Sequence, residues 1–161
     1  MLESKRMTVL TNILKFIAAS DAGVKSYGVF ISHAWTFHAD YLKLIELLYS
    51  IKDFRWHNTA RYQYDTIPAD DVDLFHDYLP GLLKEQIQNA HCILLLADLF
   101  RENKYWPQKE ADIGRELGKP IIAIQSRWFY SIPRQIFKEA NEIVEWNPDI
   151  IASAIKRHCK L

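Results

Sequence analysis

A run of six apolar residues, Cys92 to Ala97 (CILLLA), constrains the fold of this chain more than any other feature. The run shows no alternation of apolar and polar residues, so a strand formed from it must be covered on both faces. A second run, Pro120 to Gln125 (PIIAIQ), repeats the pattern farther along the chain. Strands of this kind are typical of parallel sheets that carry helices on each side. The two runs therefore predict the centre of such a sheet.

Further strands and helices alternate with these two runs. Tyr27 to Ser32 (YGVFIS) is predicted as the first strand, Phe54 to Trp56 as a short second strand, and Glu142 to Val144 as an edge strand. Apolar residues at helical spacing predict helices over about residues 40–50, 79–90, 106–118 and 149–158, and Pro80 is expected in the first turn of its helix. A long polar loop is expected over residues 57–73. The predicted fold class is a three-layer α/β/α sandwich around a mostly parallel five-stranded sheet.

The N-terminal part of the chain is predicted to add one helix to this plan. Thr8 to Ala19 carries apolar residues at helical spacing, so we assign residues 1–26 to an N-terminal helical extension and residues 27–161 to one domain. Charged residues interrupt the first segment, which is too polar for a signal peptide or a membrane span. We therefore expect a cytoplasmic protein.

Composition excludes several classes of function. Twenty basic and twenty acidic residues cancel, so no overall charge attracts nucleic acid or a membrane surface, and neither is expected as a partner. Cys92 and Cys159 form no disulfide framework and no metal-ligand spacing, and the six histidines form no zinc motif. The chain has five glycines and none of the glycine-rich phosphate loops. We therefore predict no metal site and no ATP-driven chemistry.

One carboxylate stands out in the helix that follows the apolar run. At about 100° per residue, Trp106, Ile113 and Leu117 fall within about 40° of one another, and Glu110 lies directly beside Leu117. The other acids of this helix, Asp112 and Glu116, lie on the opposite face. A carboxylate on an apolar face must find partners, and carboxylates held in clefts are candidates for catalysis. The alternative is a rim residue that is stabilised by the positive end of the helix dipole.

Parallel sheets bind ligands beyond the carboxyl ends of their strands, near the point where the strand order reverses. The loops after Ser32, Trp56 and Ala97 are therefore the expected binding loops, and several aromatic residues lie in or near them. A hydrolytic triad of Ser32, His33 and Asp40 is not expected, because neighbouring residues at one strand end point in different directions.

Two segments resemble a known family. Val29 to Ala34 (VFISHA), followed by Asp40 and a helix, is similar to the opening of bacterial TIR-type domains. Tyr105 to Glu110 (YWPQKE) is similar to their W-x-x-x-E segment, which carries the glutamate of TIR NAD glycohydrolases. The resemblance covers Tyr27 to His158 and is strongest to TIR-like proteins of Thoeris-type antiphage systems, which have a flavodoxin-like sheet.

The resemblance implies a function and a set of site residues. Glu110 would be the catalytic carboxylate of an enzyme that cleaves the nicotinamide–ribose bond of NAD, giving ADP-ribose or a cyclic or conjugated signal. NAD would be the substrate, and no other cofactor is expected. Self-association and a separate effector protein that senses the product are the other implied partners. The residues that would contact NAD are Phe30, Ser32, His33, Ala34, Trp35, Tyr64 and Trp106.

Two alternatives stay open from the sequence. One is a non-catalytic TIR-like interaction module that signals by self-association, for which Glu110→Gln would leave function intact. The other is an enzyme of the nucleoside ribosyltransferase kind, which shares the α/β plan and the need for a carboxylate but acts on nucleosides.

Overall fold

Five parallel strands form a single sheet in a computed structural model, which describes residues 25–32, 39–60, 72–102, 105–125 and 131–161. The strands are β1 (Tyr27–Ile31), β2 (Trp56–Asn58), β3 (Cys92–Leu96), β4 (Ile121–Ile124) and β5 (Glu142–Val144). Their spatial order is β2-β1-β3-β4-β5, and every neighbouring pair is parallel. This is the flavodoxin-like order of doubly wound sheets, and it confirms the predicted fold class.

Helices connect these strands and cover both faces of the sheet. They are α1 (Ala39–Tyr49), α2 (Val72–Gln88), α3 (Leu99–Glu102), α4 (Tyr105–Glu116), α5 (Ile136–Glu139) and α6 (Pro148–His158). The predicted N-terminal helix and most of the assigned extension lie outside the described residues. In the part of the chain that the structure describes, no helix combines the length and apolar character needed to cross a membrane.

The core consists of two apolar clusters, one on each face of the sheet. Alternate residues of β3 enter different clusters: Ile93 and Leu95 pack with α2 and α4, whereas Cys92, Leu94 and Leu96 pack with α1 and α6. All five residues of β3 are buried. The uninterrupted apolar run is thus explained by a central strand that has helices on both sides.

Two predicted boundaries were wrong. The second strand covers Trp56–Asn58 and not Phe54 to Trp56, because its backbone pairs with β1 in a register that opposes Tyr27 to Trp56. A short edge strand tolerates polar residues where the pairing strand fixes its position. Pro80 lies in the interior of α2 and not in a first turn, since that helix already begins at Val72. Residues 57–58 of the expected loop belong to β2, and residues 72–73 belong to α2.

The beginning of α6 and the end of α4 each show a helix-terminating signal that is visible in the sequence. The Asn147 side chain accepts hydrogen bonds from the backbone N–H groups of Asp149 (3.0 Å) and Ile150 (3.2 Å), as expected for an N-cap before Pro148. At the end of α4, Gly118 has a φ of 65°. The N–H of Lys119 then reaches the carbonyl of Gly114 (2.8 Å), which is the helix-terminating arrangement that favours glycine.

Two histidines flank the backbone of Gly28 at the start of β1. His91 Nδ1 accepts a hydrogen bond from the Gly28 N–H at 2.8 Å, and His57 Nδ1 lies 2.9 Å from the Ser26 hydroxyl. Burial lowers the pKa of His57 below its ordinary value of 6.5, and the charge of His91 lowers it further. The fold therefore favours a neutral His57.

This neutral histidine predicts a pH dependence of stability. Because the pKa of His57 is lower in the folded state, the unfolded chain binds the proton more tightly. The contribution of His57 to the free energy of unfolding is complete above about pH 6.5, and it is lost as the pH falls toward the lower folded-state pKa. We expect urea denaturation to give a smaller free energy of unfolding at pH 5 than at pH 7.

The control for this prediction is His57→Gln, which should flatten the dependence between pH 5 and pH 7. Arg157 lowers the pKa of Glu142 from its ordinary value of 4.5. The stability that Glu142 contributes is therefore lost mainly below the pH range of this comparison. An unchanged slope in the variant would contradict the assignment to His57.

Candidate active site

The strand order places a topological switch point between β1 and β3. The chain passes from β1 outward to β2 at one edge, then returns to β3 and continues toward the opposite edge. Side chains that follow β1 and β3 therefore face a crevice between loops that diverge. Ser32 is the first residue after β1, and its N–H donates to the Leu94 carbonyl at 2.8 Å. This bond continues the β1–β3 ladder and fixes the backbone that carries the Ser32 hydroxyl.

Helix α4 brings Glu110 to the same edge. Gly114 lies so close to the sheet that a Cβ added there would be 2.3 Å from Cδ1 of Ile93, near the beginning of β3. Glu110 lies one helical turn before Gly114, about 6 Å nearer to the carboxyl ends of the strands. The predicted helical wheel is confirmed, since Trp106, Glu110 and Ile113 are buried, whereas Asp112, Arg115 and Glu116 on the opposite face are exposed.

Ser32 and Glu110 form the polar pair of the site. The Ser32 hydroxyl donates a hydrogen bond to Oε2 of Glu110, and both residues are 0% exposed. A buried carboxylate loses its hydration, so a hydrogen bond from a hydroxyl stabilises it there. The structure thus holds a carboxylate oxygen at the switch point through two strands and one helix.

Apolar and aromatic side chains form the core cluster on the α4 side of the sheet. Phe30 is fully buried and Trp106 is 7% exposed, and both belong to the cluster that contains Ala111. The Trp106 ring meets the ring of Tyr105 edge-on, with centroids 5.0 Å apart, and Tyr105 is exposed. Phe30 and Trp106 therefore pack in the core on the side of the sheet that α4 covers, and their contact with a ligand stays a prediction.

The other predicted ligand contacts fall in segments that the structure does not describe. His33, Ala34 and Trp35 lie in residues 33–38, and Tyr64 lies in residues 61–71. Within the described ranges, no group of three His, Cys, Asp or Glu side chains is arranged to hold a metal ion. Glu110 and Ser32 are thus the pair of polar site residues that the described structure brings together.

The outer face of α4 is tied to α5 by a polar network. Gln108 Nε2 donates to Oε1 of Glu139 at 3.1 Å, and Nη1 of Arg115 lies 3.2 Å from Oε2 of the same carboxylate. Gln135 also donates to Gln108 at 2.5 Å. Only 6% of the Glu139 side chain is exposed, whereas 52% of the Arg115 side chain is, so the network is buried at Glu139 and open to solvent at Arg115. These contacts fix the helix that carries Glu110 from the side opposite the sheet.

Comparison with known families identifies this arrangement. Residues 30–127 match the family described as "Thoeris protein ThsB, TIR-like domain". The match covers more than half of the chain and includes both Ser32 and Glu110. The chain belongs to the Thoeris ThsB TIR-like family. This confirms the resemblance that was read from the first strand and the W-x-x-x-E segment.

A solved structure has a partly similar shape. It is described as "Structure of Clostridium botulinum CMP N-glycosidase, BcmB", shares 14% sequence identity, and aligns over 81% of this chain and 98% of that chain with a TM-score of 0.49. A search of curated proteins finds no match. The Thoeris family match is therefore the comparison on which the assignment rests.

Sequence reasoning did not find the hydrogen-bond partner of Ser32. Ser32 was predicted to contact NAD, which stays a prediction, and in this structure its hydroxyl donates to Glu110. The signal was present in two separate places: a small hydroxyl residue after β1 and a carboxylate on the apolar face of α4. Only the strand order, which places β1 beside β3, joins them.

Proposed function

We propose that this Thoeris TIR-like protein cleaves the bond between nicotinamide and ribose in NAD, with Glu110 as the catalytic carboxylate. One observation carries the proposal: a fully buried carboxylate is held by a hydroxyl hydrogen bond at the switch point of the sheet. Membership of the family supports it, because the match includes both residues of the pair. The expected setting is antiphage defence, with the product acting as a signal.

The reaction suits a single carboxylate. The C1′–N bond breaks with both electrons passing to the nitrogen, so nicotinamide leaves as a neutral molecule. Positive charge develops at C1′ of the ribose, as in glycoside cleavage. Glu110 stabilises that charge most strongly in the transition state, and burial strengthens the interaction because water does not screen it. Ser32 holds the carboxylate in one orientation, which limits reorganisation as the charge develops.

The second half of the reaction decides the product. Water that attacks C1′ loses one proton to solvent and gives ADP-ribose, whereas attack by a nitrogen of the adenine gives a cyclic isomer. Another nucleophile gives a conjugate. Each route begins with the same cleavage, so the role of Glu110 does not depend on which acceptor is used.

The experiment that tests this function is incubation of the purified protein with NAD at high protein concentration. Nicotinamide is followed by chromatography, and the ribosyl product is identified by mass, since a cyclic product is one water lighter than ADP-ribose. We expect release by the wild type and a loss of roughly 10²- to 10³-fold in Glu110→Ala, the size expected for removing an electrostatic stabiliser. Equal release by the two proteins would contradict the assignment of Glu110.

The matched control is Glu116→Gln, which removes a carboxylate from the exposed face of the same helix. Glu116 pairs with Lys84 at 2.6 Å and is open to solvent, with 62% of its side chain exposed. Its loss should leave turnover unchanged, because an exposed ion pair contributes little. Glu110→Ala should stay folded, although it removes the acceptor of the buried Ser32 hydroxyl and should cost about 1–3 kcal/mol of stability. Thermal denaturation of each variant checks this point.

A further inference from the structure

Two cysteines that are far apart in sequence meet at the beginning of the central strand. Cys92 is the first residue of β3, and Cys159 caps the end of α6. Both are free thiols, and both are buried in the apolar cluster that α6 forms with this face of the sheet. Helix α4, which carries Glu110, packs on the opposite face. The cysteine pair is therefore separate from the Ser32–Glu110 site.

The two thiols are in direct contact. The Cys92 S–H group donates a hydrogen bond to the sulfur of Cys159. The backbone is fixed on each side of this contact, because β1 and β4 flank β3 and the Cys159 N–H donates to the Ile155 carbonyl at 2.9 Å. Cysteines whose backbones lie far apart cannot be joined without a large movement, whereas thiols in contact need only a small one. The fold therefore places this pair for a disulfide.

Lys119 brings a positive charge to the same place. Its ammonium donates to the carbonyls of Gln88 (2.9 Å) and Ala90 (2.6 Å), in the segment that leads into β3. The hydrogen bond from Cys92 lowers the pKa of Cys159 from its ordinary value of 9.0; burial opposes this, and the charge of Lys119 lowers the pKa further. The pKa of Cys92 lies well above 9.0, because its hydrogen bond and its burial both favour the neutral thiol. The thiolate therefore forms at Cys159.

This asymmetry suits reversible oxidation of the pair. The thiolate is the form of cysteine that attacks an oxidant, and a second thiol in contact with it converts the first product into a disulfide. Cys159 is 6% exposed and is followed by two exposed residues, whereas Cys92 is 0% exposed. An oxidant as small as a peroxide therefore meets Cys159 first, and Cys92 is held where Cys159 is its reaction partner.

We propose that Cys92 and Cys159 are a redox-sensitive pair, which hydrogen peroxide converts into a disulfide that joins β3 to the end of α6. The Cys159 thiolate attacks one peroxide oxygen, the O–O bond breaks, and the departing hydroxide takes up a proton to give water. The Cys92 sulfur then attacks the sulfur of the resulting sulfenic acid. The S–O bond breaks, and its hydroxyl leaves with the Cys92 proton as a second water. Both sulfurs are oxidised and the peroxide is reduced, whereas a thiol reductant reverses the change.

The test is peroxide treatment of the full chain, followed by digestion without reduction and mass spectrometry of the peptides. We expect one cross-linked product that contains Cys92 and Cys159 and is lighter by two hydrogen atoms than the two reduced peptides together. Dithiothreitol should restore both thiols. Two thiols that stay free in peroxide would overturn the proposal, and so would a disulfide that joins two copies of the chain.

Single-cysteine variants test the order of the two steps. In Cys92→Ala, Cys159 has no second thiol and should stop at the sulfenic acid, which dimedone labels. In Cys159→Ser, Cys92 should stay reduced at the same peroxide concentration, because it is buried and its neutral thiol is favoured. Sulfenic acid at Cys92 in place of Cys159 would contradict the proposed roles.

Lys119 variants test the charge beside the pair. In the Cys92→Ala background, Lys119→Gln should slow dimedone labelling of Cys159 roughly two- to fivefold, the size of one partly screened charge interaction. Lys119→Arg keeps the charge and should retain most of the rate. An equal rate in all three proteins would show that Lys119 does not activate Cys159.

The melting temperature gives an independent measure of the cross-link. The disulfide closes a loop of roughly 68 residues, which restricts the unfolded chain, so oxidation should raise the melting temperature by about 5–15 °C. Cys159→Ser should show no rise after the same treatment. A fall in the wild type would mean that the bond strains the fold, which would contradict the inference that the fold places the two thiols for it.

Discussion

Replacing Ser32 with alanine is expected to lower NAD turnover by up to about 10²-fold, and only while Glu110 is present. The Ser32 hydroxyl donates to the carboxylate, so its removal frees the carboxylate to rotate away from the developing charge. Glu110→Gln removes the charge itself and should cost roughly 10²- to 10³-fold. Because Ser32 acts through Glu110, the double variant should be no slower than Glu110→Gln alone.

The measurement is a double-mutant cycle on nicotinamide release, with kcat and KM determined separately. Positioning of a catalytic group affects kcat more than KM, since the interaction is made in the transition state. The matched control is Ser50→Ala, which removes an exposed hydroxyl that donates to the Leu47 carbonyl at 2.6 Å. Multiplicative effects of the two site substitutions would contradict a role of Ser32 through Glu110.

Ser32→Ala also has an expected structural cost that the cycle must account for. The carboxylate of Glu110 is fully buried, so losing the hydroxyl hydrogen bond should lower the free energy of unfolding by about 1–3 kcal/mol. Turnover is therefore compared well below the melting temperature of the least stable variant. A loss of turnover that disappears at low temperature would show unfolding rather than mispositioning.

The fold could be predicted from the sequence because its strongest constraints are local. The apolar run of β3 has no alternation, and that pattern alone requires cover on two faces. The Asn147 cap before Pro148 marks the beginning of α6 within a few residues. Such signals depend on residues that are neighbours in sequence, so they need no knowledge of the sheet order.

The edges of the sheet could not be predicted with the same accuracy. β2 contains His57 and Asn58, which no apolar pattern assigns to a strand, and the strand exists because β1 offers it backbone partners. Asn58 is further held by the Tyr41 hydroxyl, which accepts from its side chain at 2.8 Å. The beginning of α2 was predicted wrongly because a proline is usually tolerated only in the first turn of a helix, whereas this helix already begins at Val72.

In the candidate site, the catalytic carboxylate could be predicted from the sequence, whereas its hydrogen-bond partner could not. Glu110 was found from the sequence because its helix shows a regular apolar face on which one carboxylate is out of place. Its hydrogen bond with Ser32 joins residues that are 78 positions apart.

Gly114 gives the second prediction with a large expected effect, because the close approach of α4 to the sheet depends on its missing side chain. An alanine Cβ would lie 2.3 Å from Cδ1 of Ile93, which is fully buried, so the Ile93 side chain or the helix must shift within the core. Overpacking of this kind costs about 1–3 kcal/mol, against a gain of up to about 1 kcal/mol from helix propensity. Gly114→Ala should therefore lower the free energy of unfolding by up to about 2 kcal/mol.

Ile93→Val tests the steric cause, since valine lacks the Cδ1 atom that the new Cβ would meet. Alone, this change should cost about 0.5–1.5 kcal/mol. In its background, Gly114→Ala should become neutral or stabilising by up to about 1 kcal/mol, because only the helix propensity remains. Gly81→Ala is the matched control: it lies within α2 with nothing within 4 Å of its added Cβ, so it should stabilise both backgrounds equally.

The same cycle links packing to the site. Glu110 reaches Ser32 because α4 lies close against β3, so a helix displaced by the added methyl group of Gly114→Ala should carry the carboxylate away from its hydroxyl partner. Nicotinamide release should therefore fall in Gly114→Ala and recover when Ile93→Val is added, although the double variant contains two substitutions. Equal effects of Gly114→Ala in both backgrounds, on unfolding and on turnover, would contradict this coupling between the helix–sheet contact and the position of Glu110.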